Sequence, residues 1–282
     1  MGKPKNIIKE HDNSITSLSL SSDNTRLISS SLDKRVIVFD IYNLSQELII
    51  TDLKSEVLAA WFSYNDKLIF SAEKNKIFSY FNRKGELRYV QKTLSAYITC
   101  FVNIINRKKE YFAVGLFDGT VLIYNNEYNL CKKIPLYDEI KNKDKTETKD
   151  EEQYSVVSLT IDKNGEFLFI GYRNGIIMTF YLTEKILCDW KKFVCDNEEQ
   201  NNIKSIFQND HQINNILYED KFFEYIFIGD NKGFRIKKIK GSIIFQDNSD
   251  ACFSLCFDKN KNYLFAGFGD GIIRVYHIIQ ND

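Results

Sequence analysis

Apolar residues along this chain alternate with polar ones in short runs, the spacing of half-buried strands rather than of helices. One phrase recurs: apolar residues, a small residue, two variable residues, a turn residue, then alternating apolar positions ending in an aromatic. It reads LISSSLDKRVIVFD from Leu27, LIFSAEKNKIFSYF from Leu68 and FAVGLFDGTVLIYN from Phe112. It returns as FLFIGYRNGIIMTFY from Phe167, YIFIGDNKGFRIKKI from Tyr225 and LFAGFGDGIIRVYH from Leu264. Aligning the copies places Asp33, Lys74, Asp118, Asn174, Lys232 and Asp270 at the turn, followed by Gly119, Gly175, Gly233 and Gly271 in four of the six. An Asp-Gly or Asn-Gly pair between two alternating runs marks a hairpin, because such turns need positive φ. Six residues beyond the turn stand Phe39, Tyr80, Tyr124, Phe180, Lys238 and Tyr276, five of the six aromatic.

A further strand precedes each hairpin: SITSLSL at Ser14, EVLAAWF at Glu56, YITCFVN at Tyr97, YSVVSLT at Tyr154, QINNILY at Gln212 and CFSLCFD at Cys252. With the segment leading into the next copy as a fourth strand, each unit has the content of one blade of a β-propeller. The turns are spaced by 41, 44, 56, 58 and 38 residues. The two long intervals hold insertions. Residues 137–153, YDEIKNKDKTETKDEEQ, are charged and poor in apolar residues, the composition of a mobile loop. VCDNEEQNN from Val194 is the other. Six repeats are legible, and a seventh has room only in degenerate form. The expectation is a single all-β propeller over residues 1–282, with a strand near Ile7 and Ile8 completing the last blade.

Composition narrows the function. The 38 basic and 38 acidic residues cancel, so any nucleic-acid contact is a local patch rather than a general coating. The six cysteines form no C-x-x-C pair and read as buried thiols in a reducing compartment. With three histidines, none at ligand spacing, neither a metal nor a cofactor is expected. The N-terminus lacks a signal-peptide core, Asn6 breaks the myristoylation pattern, and no apolar run reaches membrane-span length, so a cytoplasmic protein is expected. GFGDG at Gly267 has the look of a phosphate-binding glycine loop, but the repeat places it in a hairpin rather than at the start of a helix. No G-x-S-x-G elbow occurs, and His11, His211 and His277 fall at unrelated positions of the repeat. An enzyme, and with it a small-molecule substrate, is therefore not expected.

These repeats resemble WD40 repeats along the whole chain, although Phe39-Asp40 stands where a Trp-Asp dipeptide is usual. His11, Ser29 to Asp33 and Phe39 are similar to the family's hydrogen-bonded His, Ser, Asp and Trp set, and the other repeats have lost the histidine. The first repeat from Ile8, the stretch from Ile213 to Asp247 and the last repeat from Cys252 resemble the receptor-for-activated-C-kinase family, Gβ-like scaffolds of the small ribosomal subunit. That family has seven blades, and its usual Arg before the first-blade Asp is Leu32 in this chain. The resemblance implies a non-catalytic protein on the head of the small subunit. There it would contact rRNA and neighbouring ribosomal proteins and dock signalling or translation factors. Lys34 matches the family's basic turn position, Arg35 replaces the charge missing at Leu32, and Lys3, Lys5 and Lys9 lie just upstream, so these five are the candidate rRNA contacts. From the residues alone the same cluster reads as an ordinary solvated hairpin tip. Arg107 to Lys109 and Lys237, Lys238 and Lys240 read as solvated faces. Two other hosts fit the repeats: the WD40 subunit i of translation initiation factor three, and a general Gβ-like adaptor.

Overall fold

A computed structural model describes residues 7–51, 53–91, 94–136, 151–182, 203–209, 211–222, 224–239, 242–258 and 260–278. Each predicted repeat forms an antiparallel meander in which strands pair in chain order. The first sheet contains β1 (Ile15–Leu20), β2 (Arg26–Ser31), β3 (Val36–Asp40) and β4 (Gln46–Ile50). The second contains β5 (Val57–Phe62), β6 (Leu68–Glu73), β7 (Phe78–Asn82) and β8 (Leu87–Gln91). The third contains β9 (Ile98–Asn106), β10 (Lys109–Leu116), β11 (Val121–Asn125) and β12 (Leu130–Ile134). The fourth contains β13 (Val156–Ile161), β14 (Phe167–Tyr172), β15 (Ile176–Tyr181) and β16 (Ile203–Gln208), and the fifth β17 (Ile213–Tyr218), β18 (Tyr225–Asp230), β19 (Gly233–Lys238) and β20 (Ile243–Asp247). The sixth has three strands among the described residues: β21 (Cys252–Phe257), β22 (Tyr263–Phe268) and β23 (Ile273–His277).

The chain divides into two compact units, residues 1–98 and 99–282. In the first unit, sheets one and two bury Ile28, Val36, Val38 and Ile50 against Val57, Ala60, Phe62, Ile69 and Phe81. Trp61, Phe70 and Phe78 add an aromatic stack with centroids 5.4 to 5.9 Å apart. In the second unit, sheets three and four share a core around Ile104, Val121, Val156, Leu168 and Phe180. Sheets four and five meet through Phe169, Ile177, Ile213, Ile216 and Ile228, and sheets five and six through Phe227, Phe234, Cys252, Leu264 and Phe268.

The small residue of the repeat explains how closely sheets approach. At Gly115 an added Cβ would lie 2.5 Å from Val156 Cγ1 and 2.8 Å from Cys100 Sγ; at Gly229 it would lie 3.0 Å from Cys252 O and Sγ. Polar side chains then tie neighbouring first strands together. Thr16 Oγ1 donates to Val57 O at 2.7 Å, Ser158 Oγ to Ile216 O at 3.2 Å and Asn214 Nδ2 to Cys252 O at 3.1 Å.

The structure corrects the repeat frame in two places. In the second sheet the turn is closed by Lys76 N–H donating to Glu73 O at 3.1 Å, as Lys34 N–H donates to Ser31 O at 3.3 Å in the first. Asn75, not Lys74, therefore occupies the place of Asp33, and buried Phe81, not Tyr80, occupies that of Phe39, opposite Ile69. Adjacent aromatics at 80 and 81 hid this one-residue slip, which moves a side chain to the other face of the sheet. In the fifth sheet Asp230 pairs directly with Gly233, a hairpin one residue shorter, and Lys237 rather than Lys238 sits opposite Ile226. Of the expected insertion, residues 151–153 belong to a 3-10 turn, Glu151–Tyr154, and residues 137–150 lie outside the described residues. Residues 7–10 carry no strand, and the rest of the expected closing segment, 1–6, lies outside the described residues.

Gly115→Val is expected to destabilise the fold by about 1–3 kcal/mol through overpacking. Gly271→Ala, at φ +78° with nothing within 4 Å, is expected to cost about 1 kcal/mol through backbone strain alone. Urea midpoints of the two variants check the order; equal losses would mean that close sheet approach is not limiting.

Candidate interaction surface

The predicted first-repeat residues come together at the β2–β3 turn. His11 Nδ1 lies 2.8 Å from Asp33 Oδ2, and Nε2 lies 2.7 Å from Ser29 Oγ. Asp33 Oδ2 also accepts the Asp12 N–H at 3.0 Å and Arg35 Nη2 at 2.8 Å, while Oδ1 accepts the Arg35 N–H at 2.9 Å. Burial alone pushes the Asp33 carboxyl up, but the hydrogen bonds from His11, Asp12 and Arg35 outweigh it and hold the pKa at about 2. The order Ser29, His11, Asp33 is that of a nucleophilic relay. Yet Ser29 is only 2% exposed, inside β2, where its hydroxyl cannot meet a substrate. Phe39 is buried opposite Leu27 and has no side-chain N–H to extend the network. The cluster locks residues 11 and 12 onto the first hairpin.

Asp118, Asn174 and Asp270 stand at the matching turns of their own sheets. Each accepts the N–H two residues on: Thr120 at 3.0 Å, Ile176 at 3.2 Å and Ile272 at 3.0 Å. These are local turn locks without a histidine. The GFGDG segment is a strand and hairpin turn, as expected, with Gly267 inside β22.

The candidate cations fare unequally. Lys9 and Lys34 are exposed, and Lys34 sits at φ +67° on the hairpin tip. Arg35 does not fit the expected role of a free phosphate contact, because its guanidinium is held by Asp33 at 2.8 Å and Asp12 at 2.6 Å. Lys3 and Lys5 lie outside the described residues. Among the described residues, no group of three or more His, Cys, Asp or Glu side chains is placed to hold a metal. None of their helices is long and apolar enough to cross a membrane.

Two features escaped the sequence reading. Asp230 and Arg235 form a buried ion pair across the short fifth hairpin, with Asn209 Nδ2 donating to Asp230 Oδ2 at 2.9 Å. The acid and base on either side of a two-residue turn were its only signal. The second is a cavity of about 540 Å³ between sheets five and six, lined by Phe222, Tyr225, Phe234, Phe245, Val275 and Tyr276 among others.

Two segments of the chain, residues 2–40 and 239–277, match the family described as WD domain, G-beta repeat. No curated protein matches the chain. Among solved structures it is similar to the β-propeller domain of Cps50 (Swd1) from Myceliophteria thermophila, at 16% identity and a TM-score of 0.75, covering 96% of this chain and 85% of that one. At that identity the likeness speaks to fold.

His11→Ala is expected to destabilise by about 1–3 kcal/mol, because it leaves a buried carboxylate short of a donor. The sign with pH follows from the depressed Asp33 pKa: its contribution is full above about pH 4 and falls away as pH drops towards 2. Asp33→Asn is therefore expected to flatten the acid limb of the melting-temperature profile between those values. An unchanged limb would remove Asp33 from the stabilising set. The chain has the fold of a β-propeller, and its first and last repeats match the WD40-repeat family.

Proposed function

We propose that this protein is a non-catalytic scaffold that docks macromolecular partners on the propeller surface. The observation carrying this reading is that the site-like polar cluster of the first repeat, His11, Ser29 and Asp33, is consumed in holding the fold. WD40 propellers typically serve as platforms for protein partners. The finer reading is attachment to the small ribosomal subunit in the cytoplasm, through rRNA and neighbouring ribosomal proteins, with signalling or translation factors docked elsewhere. Support for it comes from the sequence resemblance and from the exposed cations Lys9 and Lys34. Arg35 drops out of that patch, since reversing its charge would break the Asp33 network instead of testing a surface contact.

The test is sucrose-gradient sedimentation of the full chain with ribosomes at moderate and high salt. Co-migration with small subunits is expected, and Lys9→Glu with Lys34→Glu should weaken it while leaving the melting temperature unchanged. Each lost phosphate contact should flatten the log–log salt dependence by about one. Migration in light fractions at every salt concentration would sink the ribosomal reading; co-migration indifferent to the double variant would move the contact away from the first hairpin.

A further inference from the structure

Between the outer strands of sheets one and two lies a separate cavity of about 480 Å³. β4 and the segment after it supply Ile50 and Leu53 to its wall, while β7 and β8 supply Phe81 and Val90. Gly85 closes one side. An added Cβ there would lie 2.9 Å from Leu48 Cδ1, so the β7–β8 turn rests directly on β4. The volume falls in the range of small-ligand sites, about 300–1,000 Å³.

The polar groups of this cavity are unlike those of an ordinary core. β6 and β7 pair Ile69 with Phe81 and Ser71 with Ser79. Ile69 and Phe81 belong to the core shared with sheet one, so by alternation Ser71, Glu73 and Ser79 lie on that same face. Glu73 is 2% and Ser79 3% exposed, and both line the cavity. Glu73 Oε2 accepts the Lys54 and Ser55 N–H groups, each at 2.9 Å, and among the described residues no Lys or Arg forms an ion pair with the carboxylate. Ser71 Oγ is buried without a hydrogen-bond partner, so it does not engage Ser79 across the ladder. A buried carboxylate without a counter-charge is costly, and here a cavity adjoins it. Glu73 and Ser79 are diagonal neighbours, about 7–8 Å apart at their Cα atoms, near enough for one group to meet both side chains. Lys54 also borders the cavity, but it is exposed and its charge is solvated.

We propose that this cavity binds a primary alkylammonium group, its alkyl chain between Ile50, Leu53, Phe81 and Val90 and its NH3+ donating to Glu73 and Ser79. Such a group supplies what the site lacks. It brings a positive charge to the buried carboxylate and N–H donors for acceptor oxygens, on a stem that suits apolar walls. The same chemistry is carried by a free aliphatic amine and by the lysine side chain of a docked partner. Binding is measured on the isolated chain, so a failure of ribosome sedimentation leaves this site standing.

Isothermal titration calorimetry of the full chain at neutral pH compares hexylamine with hexanol and hexanoate, which share its apolar chain. Hexylamine, protonated under those conditions, is expected to bind at least about ten-fold more tightly than either, through charge-assisted hydrogen bonds that only it can make. Glu73→Gln should bring hexylamine to within about three-fold of hexanol. That variant can disturb the segment held by Lys54 and Ser55, so Ser79→Ala, which removes only a hydroxyl, is measured beside it. Ser79→Ala should weaken hexylamine about three- to ten-fold at an unchanged melting temperature. A capped peptide with one lysine between apolar residues separates the two sources. Tighter binding than hexylamine assigns the group to a partner's side chain, and weaker binding assigns it to a free amine. Hexanol or hexanoate binding as tightly as hexylamine would overturn the proposal, as would no binding of hexylamine or binding indifferent to Ser79→Ala.

Discussion

Close approach of one sheet to the next is the constraint on which each unit rests. A four-stranded meander has two faces and cannot bury both by itself, so its stability comes from its neighbours. Distances at Gly115 and Gly229 leave no room for a methyl group, and Gly171 allows one only if Ile216 yields. The repeat keeps a small residue at this point, Ser30, Ala72, Gly115, Gly171, Gly229 and Gly267, whatever else it changes. Once the backbones are this near, side-chain hydroxyls and amides reach the neighbouring carbonyls. The polar bonds between Thr16 and Val57 or Asn214 and Cys252 follow from the packing and then fix its register.

That arrangement makes the polar turn networks local. The first hairpin has its His11–Asp33 lock and the fifth its buried Asp230–Arg235 pair, while Asp118 and Asn174 hold their turns by an Asx bond and Asp270 adds an ion pair with Arg274 to its own. Two unrelated chemistries thus serve the same turn. A buried pair of that kind is costly to break by removing one partner, though not necessarily better than an apolar filling. Divergence of these networks between repeats is tolerated because the aliphatic and aromatic faces carry the association of the sheets.

Each first strand of sheets one, two, four, five and six also carries a register shift near its start, and each third strand of the first five carries one against its outer neighbour. Bulges increase local twist. They recur at matching positions without any shared residue that would announce them. The slip at Asn75 and Phe81 and the short fifth hairpin belong to the same class of feature, set by which backbone groups pair.

The sequence by itself determined the number and order of the legible repeats, the hairpins at Asp118, Asn174 and Asp270, and the first-repeat set of His11, Ser29, Asp33 and Phe39. Alternation and turn chemistry are local, and residues a few positions apart suffice to write them. Tertiary structure alone decided three other things. It gave Arg35 to Asp33 and Asp12, leaving Lys9 and Lys34 as the exposed candidates among the described residues, because which charges pair depends on a contact 23 residues apart. It set the turn register of the second repeat, where neighbouring aromatics satisfied either frame. It opened an aromatic cavity between sheets five and six, because Phe222, Phe234, Phe245 and Tyr276 meet only when the two sheets pack together.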